Sequence, residues 1–160
     1  AFLVTGEVIA RQWFNVSLAG ADELSGYAFA VATSLGFAFA LFERAHIRVD
    51  ALIVLLPRAM RLVLNFVGLL LLIGFAAIVT WQGWDLLSDT LKHGSRSITP
   101  LRTPLAIPQI PWLFGWVFFI FCGVSLFIAA LLAVWQRDAS KAEAMIGVKT
   151  LDEQIEDEKV

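Results

Sequence analysis

Two histidines, His46 and His93, and one cysteine, Cys122, are the side chains of this 160-residue chain best suited to ligate a metal or haem, or to attack a substrate. Metal and haem sites need several convergent ligands. His46 sits in a charged run, His93 lies beyond the next apolar segment, and Cys122 stands in an apolar run where a buried, inert thiol is the ordinary outcome. His46 is therefore expected to be a hydrogen-bonded residue of an ordered turn. No Ser/His/Asp set, metal cluster or phosphate-cradling loop can be assembled, so an enzyme acting alone is not expected. The densest ionisable group is Glu43-Arg44-Ala45-His46-Ile47-Arg48-Val49-Asp50, a charged elbow between two apolar segments.

The elements around that elbow are set by composition. With 59% hydrophobic and 16% charged residues, the chain's solvent is mostly lipid. A net charge of -2 and a pI near 5.6 leave no basic face for nucleic acid. A lone cysteine excludes a disulfide framework.

The expected fold is an all-α integral membrane protein with four transmembrane helices and a short interfacial amphipathic helix after the second. Residues 1–14 form the first span, closed by Arg11-Gln12-Trp13-Phe14-Asn15. The apolar stretch 1–10 covers only about 15 Å of helix, half a hydrocarbon core, so the span is expected to be incomplete at its N-terminal end. No secretory signal pattern is present. The second span covers 24–42, with Asp22 and Glu23 complementing the exposed amides of its N-terminus. Small residues occupy every even position from 26 to 40, including Gly26, Ala30, Ser34, Gly36 and Ala38. A membrane strand would leave its backbone unpaired in lipid, so the alternation belongs to a helix whose small rows admit close neighbours.

Residues 47–56 are expected to form the interfacial helix, ended by Pro57, and 60–81 the third span, with Trp81 and Trp84 at the far headgroup level. Residues 85–110, punctuated by Gly94, Pro100, Pro104 and Pro108, are expected to be a loop with one short helical turn. The fourth span covers 111–135 and completes a membrane domain over 1–137. Residues 138–160 form a polar tail with three basic and seven acidic residues, expected to be mobile or to carry a short helix around 150–158. Basic residues set the orientation. Arg44, Arg48, Arg58, Arg61, Arg137, Lys141 and Lys149 on one side outweigh Arg11, Lys92, Arg96 and Arg102 on the other, placing elbow 43–61 and the C-terminus in the cytoplasm.

The ordered set Arg11-x-x-Phe14-Asn15, Asp22-Glu23-Leu24, Gly36, Arg44-x-His46-Ile47-Arg48-Val49-Asp50, Leu56-Pro57 and Pro104-Leu105-x-Ile107-Pro108 resembles the DctQ family, the small membrane subunit of tripartite ATP-independent periplasmic (TRAP) transporters. The similarity covers roughly residues 1–135, and the elbow is its most specific part. Two features depart from the family pattern: the incomplete first span and a longer acidic tail. The resemblance implies a bacterial inner-membrane location and three partners. A periplasmic substrate-binding protein captures an organic acid, and a large, DctM-like membrane subunit moves it by a sodium-coupled elevator motion. This chain belongs to the fixed scaffold, in contact with membrane phospholipids. No cofactor is implied for it, and sodium coupling falls to the large subunit.

The residues agree with a role outside transport. Ion and substrate sites at membrane depth need broken helices or polar clusters, whereas the interiors of the second to fourth spans offer Thr33, Ser34, Asn65, Thr80 and Ser125 and no charge. Asn65 is suited to an interhelical hydrogen bond contributing about 0.5–2 kcal/mol. Arg11 either pairs with Asp22 or Glu23 or snorkels into headgroups. The elbow is either an ordinary positive-inside loop or a salt-bridged corner in which Arg44, Arg48 and Asp50, with Pro57, Arg58 and Arg61 behind them, meet lipid and the large subunit. The prolines from Pro100 to Pro111 stiffen the return into the last span or form a ledge for the binding protein. A membrane anchor of a respiratory enzyme, or a structural subunit of another complex, is the alternative. Haem binding would require histidines inside the spans, and none lie there.

Overall fold

The computed structural model describes Thr5, Gln12, Trp13 and residues 20–43, 57–99 and 101–147, without the side chains of Arg58, Ala139 and Ser140. The first span, apart from helical Thr5, Gln12 and Trp13, lies outside the described residues, as do the interfacial helix at 47–56 and the tail helix at 150–158. Among the described residues the chain is helical, without a strand. Three helices are long and apolar enough to cross a membrane: α1 (Ala21–Phe42), α2 (Arg58–His93) and α3 (Ala106–Trp135). A short helix, α4 (Ala139–Ile146), follows.

Local chemistry sets the helix ends. Gly20, at φ +125°, turns the chain into α1, and Asp22 and Glu23 occupy its first turn. Pro57 stands just before α2, where its missing N–H costs nothing and its carbonyl accepts from Met60 and Arg61 at 3.0 and 3.1 Å. At the other end, Gly94 adopts φ +59°, and the Ser95 N–H reaches back to the Thr90 carbonyl at 3.1 Å, a Schellman closure. Asp138 caps α4 by accepting from the Lys141 N–H at 3.0 Å.

Three sequence expectations are corrected. The third span was expected to end at Trp81, but α2 continues to His93, because Gly83, Leu87 and Thr90 carry a buried face onward at helical spacing. The last span was expected to open at Pro111, but α3 starts at Ala106 with Pro108 in its first turn, where proline is tolerated. The loop therefore narrows to 94–105, held by a bridge between Arg96 and Pro104 and by the Ser97 N–H on the Thr103 carbonyl at 2.9 Å. The tail, expected to be polar and mobile, contributes α4, whose Ala142 and Ile146 are buried.

The described chain divides into two compact units, each holding part of every long helix. In the first (20–36, 79–99 and 101–117), α1 meets α3 where Gly115 lies against Ser34, and α2 meets α3 where Gly83 lies against Trp112 and Leu113. In the second (37–43, 57–78 and 118–147), Gly123 of α3 faces Ile73 of α2 and Leu41 of α1. The same unit holds the edge-to-face pairs Phe37–Phe119 (6.3 Å) and Phe66–Phe127 (5.4 Å) and buries Leu69, Ala76, Cys122, Ala130 and Ala133.

Candidate functional site

The polar chemistry of the described residues gathers in two places, one in each unit. In the first, the start of α1 presents the Glu23 carboxylate to the 94–105 loop. Tyr27, one turn along the same face, donates its hydroxyl to Glu23 Oε1 at 2.6 Å. The Thr99 hydroxyl donates to Glu23 Oε2. Ser97 Oγ and Thr99 Oγ1 are 2.7 Å apart, and the Thr99 N–H donates to Ser97 Oγ at 3.2 Å. The loop is thus fastened over the end of α1 by uncharged donors on one carboxylate. Leu101 completes the fastening by lying against Gly20, where a side chain would collide with it.

In the second unit, Arg61 near the start of α2 pairs through Nε with Glu143 Oε1 of α4, their side chains 26% and 29% exposed. The turn between α3 and α4 is tight. Arg137 takes a left-handed φ of +62°, and the Asp138 N–H returns to the Ala133 carbonyl at 3.0 Å.

Several expected site residues fall elsewhere. Arg11, Arg44, His46, Arg48 and Asp50 lie outside the described residues, and Arg58 is described only in its backbone. Asp22 is exposed, and its carbonyl accepts from Ser25 Oγ at 2.9 Å. Pro57 is exposed. Of the small residues of α1, Ser34 and Ala38 are buried and Ala30 is half-buried, whereas Gly26 and Gly36 have nothing within 4 Å of a would-be side chain. Ser34 Oγ donates to the Val31 carbonyl at 2.9 Å. Thr99 and Glu143 were missed as partners of Glu23 and Arg61. For Glu143 the signal was present: Asp138 at a capping position ahead of Ala142 and Ile146, four residues apart. No group of metal-ligating side chains occurs among the described residues. A shallow, charge-lined groove runs along α2 between Gln82 and Lys92, including Asp85 and Asp89.

Three long apolar helices, with large side chains such as Phe29, Phe75 and Phe121 turned outward, define a multi-pass membrane protein. Residues 1–133 match the family described as tripartite ATP-independent periplasmic transporters, DctQ component, and the chain belongs to that family. It is a TRAP transporter small subunit, of a family whose members work with a large membrane subunit and a binding protein. No curated protein matches the chain.

Proposed function

We propose that this chain is the fixed scaffold of its transporter, bracing a large subunit that performs sodium-coupled, binding-protein-dependent uptake of an organic acid such as a dicarboxylate or sugar acid. It sits in the bacterial inner membrane with elbow 43–61 and its C-terminus in the cytoplasm. Arg44, His46, Arg48 and Asp50, with Pro57, Arg58 and Arg61, serve as the surface toward lipid and the large subunit. Arg11, Asp22 and Glu23 serve the opposite rim.

One observation carries this reading. The three long helices run unbroken, and their buried polar side chains are Ser34, Asn65 and Thr90, with no buried charge among the described residues. Transport sites at membrane depth use interrupted helices and ionisable or clustered polar groups, so solute and sodium chemistry belongs to another chain. Mass spectrometry of the complex isolated in mild detergent tests the assignment. A much larger multi-span subunit is expected to co-purify. Isolation of this chain as a lone, active carrier would overturn it.

A further inference from the structure

The 94–105 loop is a small ribbon closed by its own main chain. The Leu105 N–H donates to the Ser95 carbonyl at 3.1 Å, the Ser97 N–H to the Thr103 carbonyl at 2.9 Å and the Arg102 N–H to the Thr99 carbonyl at 3.0 Å. Exposure alternates along it: Ser95, Ser97, Thr99, Thr103 and Leu105 are half-buried, whereas Arg96, Ile98, Arg102 and Pro104 are exposed. A ribbon with bonds of its own can leave α1 in one piece. Once off, it frays, because a lone two-stranded ribbon is marginal in water. Two fastenings keep it on α1, Leu101 against Gly20 and the Glu23 carboxylate.

The second fastening depends on charge. Each oxygen of Glu23 accepts a hydroxyl, that of Tyr27 on Oε1 at 2.6 Å and that of Thr99 on Oε2. An ionised carboxylate accepts at both oxygens, whereas the neutral acid turns one of them into a donor facing a donor. Thr99 has somewhere else to turn, since Ser97 Oγ stands 2.7 Å from its hydroxyl oxygen. Letting go of Glu23 therefore strands no polar group. The charged groups on the surrounding elements are Asp22 on α1, Arg96 and Arg102 on the ribbon, and Lys92 and His93 at the end of α2. All are exposed, and none forms an ion pair with Glu23 among the described residues. His93 is engaged elsewhere, its Nδ1 lying 2.9 Å from the Asp89 carbonyl oxygen.

We propose that Glu23 is an acid-released latch: ionised, it holds the 94–105 ribbon on the start of α1, and neutralised, it lets the ribbon swing free. Glu23 precedes the apolar run that begins at Leu24. Its carboxyl is held below the usual carboxylate range, first by the Thr99 hydroxyl and then by that of Tyr27. A group lowered in this way lends its hold fully above the ordinary glutamate value of about 4.3, and loses it as pH falls through the lower, latched value.

A spin label at fully exposed Ile98, attached through Ile98→Cys in the subunit held in lipid nanodiscs, reads the ribbon's motion, and buried Cys122 stays unlabelled. The label is expected to be restrained at pH 7 and mobile below about pH 4.3, with helical circular dichroism constant. Tyr27 is the chain's one tyrosine, so its resonance Raman doublet is expected to lose the signature of a strong donor over the same range. Glu23→Gln, which keeps one acceptor and no charge, should be mobile at pH 7 and unresponsive to acid. Thr99→Val, which removes the ribbon's half of the bond, should match it. In each released state, protection of the Ser97 and Leu105 amides, corrected for intrinsic exchange, is expected to fall by about three- to tenfold. A label equally restrained at pH 7 and in acid overturns the latch, as does a Glu23→Gln variant as restrained as its parent at pH 7. So does a transition centred near the ordinary histidine value of about 6.5, which would belong to His93. Should acid unfold the parent, the two variants at pH 7 decide alone.

Discussion

Gly115 has no room for a methyl group. A β-carbon there would stand 2.8 Å from Ser34 Cβ and 2.9 Å from the Ser34 carbonyl carbon, and main chain cannot rotate aside as a flexible side chain would. Gly115→Ala should therefore destabilise the subunit by about 1–3 kcal/mol, the usual cost of overpacking, visible as a lower thermal midpoint in detergent. Gly36→Ala, which meets open space, is the control expected to leave that midpoint unchanged or slightly raised. The contrast also marks a limit of reading residues by type. Small residues recur along α1, but only the face carrying Ser34 and Ala38 is packed, and composition cannot say which of two small-lined faces a neighbour will choose. Glu23 illustrates the same limit. Its place at the start of α1 was legible, yet Thr99, 76 residues away, depends on the return of a loop. Thr99→Val is expected to speed amide exchange at Ser97 and Leu105; exchange matching the parent chain would show that the hydroxyl does not hold the loop.

Among the elements, α4 depends most on its attachments. Eight residues are too few for a helix to persist alone in water, so its order must come from the Asp138 cap, the Arg61 pair and the burial of Ala142 and Ile146. Asp138→Ala should cost about 1 kcal/mol and accelerate exchange through 139–147. Glu143→Arg is expected to do the same, and adding Arg61→Glu should restore protection by rebuilding the pair with its charges exchanged. Failure of that rescue would assign the effect of Glu143 to packing. The helix cores were legible from apolar runs, but their ends were not, since tryptophan and aspartate mark where lipid stops rather than where a helix does. The residues following Trp81 still bury Gly83, Leu87 and Thr90, so the backbone continues to Gly94. Pro108 and Pro111 resemble loop punctuation, yet a proline in a first turn costs little, and one further in is carried by flanking helix that lies in apolar surroundings.

At the scale of the molecule, α1, α2 and α3 contain 22, 36 and 30 residues. Those counts correspond to helices of roughly 33, 54 and 45 Å, against a hydrocarbon core of about 30 Å. Length beyond the core is available for contacts with other subunits. The elbow proposal belongs to this scale as well, because its consequence is assembly. Arg48→Glu is expected to reduce the yield of large subunit recovered with this chain; recovery equal to that of the parent would leave the elbow as a plain positive-inside connection.

The donors gathered on Glu23 are hydroxyls, and a neutral donor gives counterions almost nothing to screen. The ion pair between Arg61 and Glu143 has no such immunity, being two full charges in partial contact with water. Raising ionic strength from about 0.1 M to 1 M shrinks the Debye length from about 10 Å to 3 Å. Brine should therefore loosen the 139–147 segment and leave the 94–105 loop seated, a difference that amide exchange at the two salt concentrations would read directly.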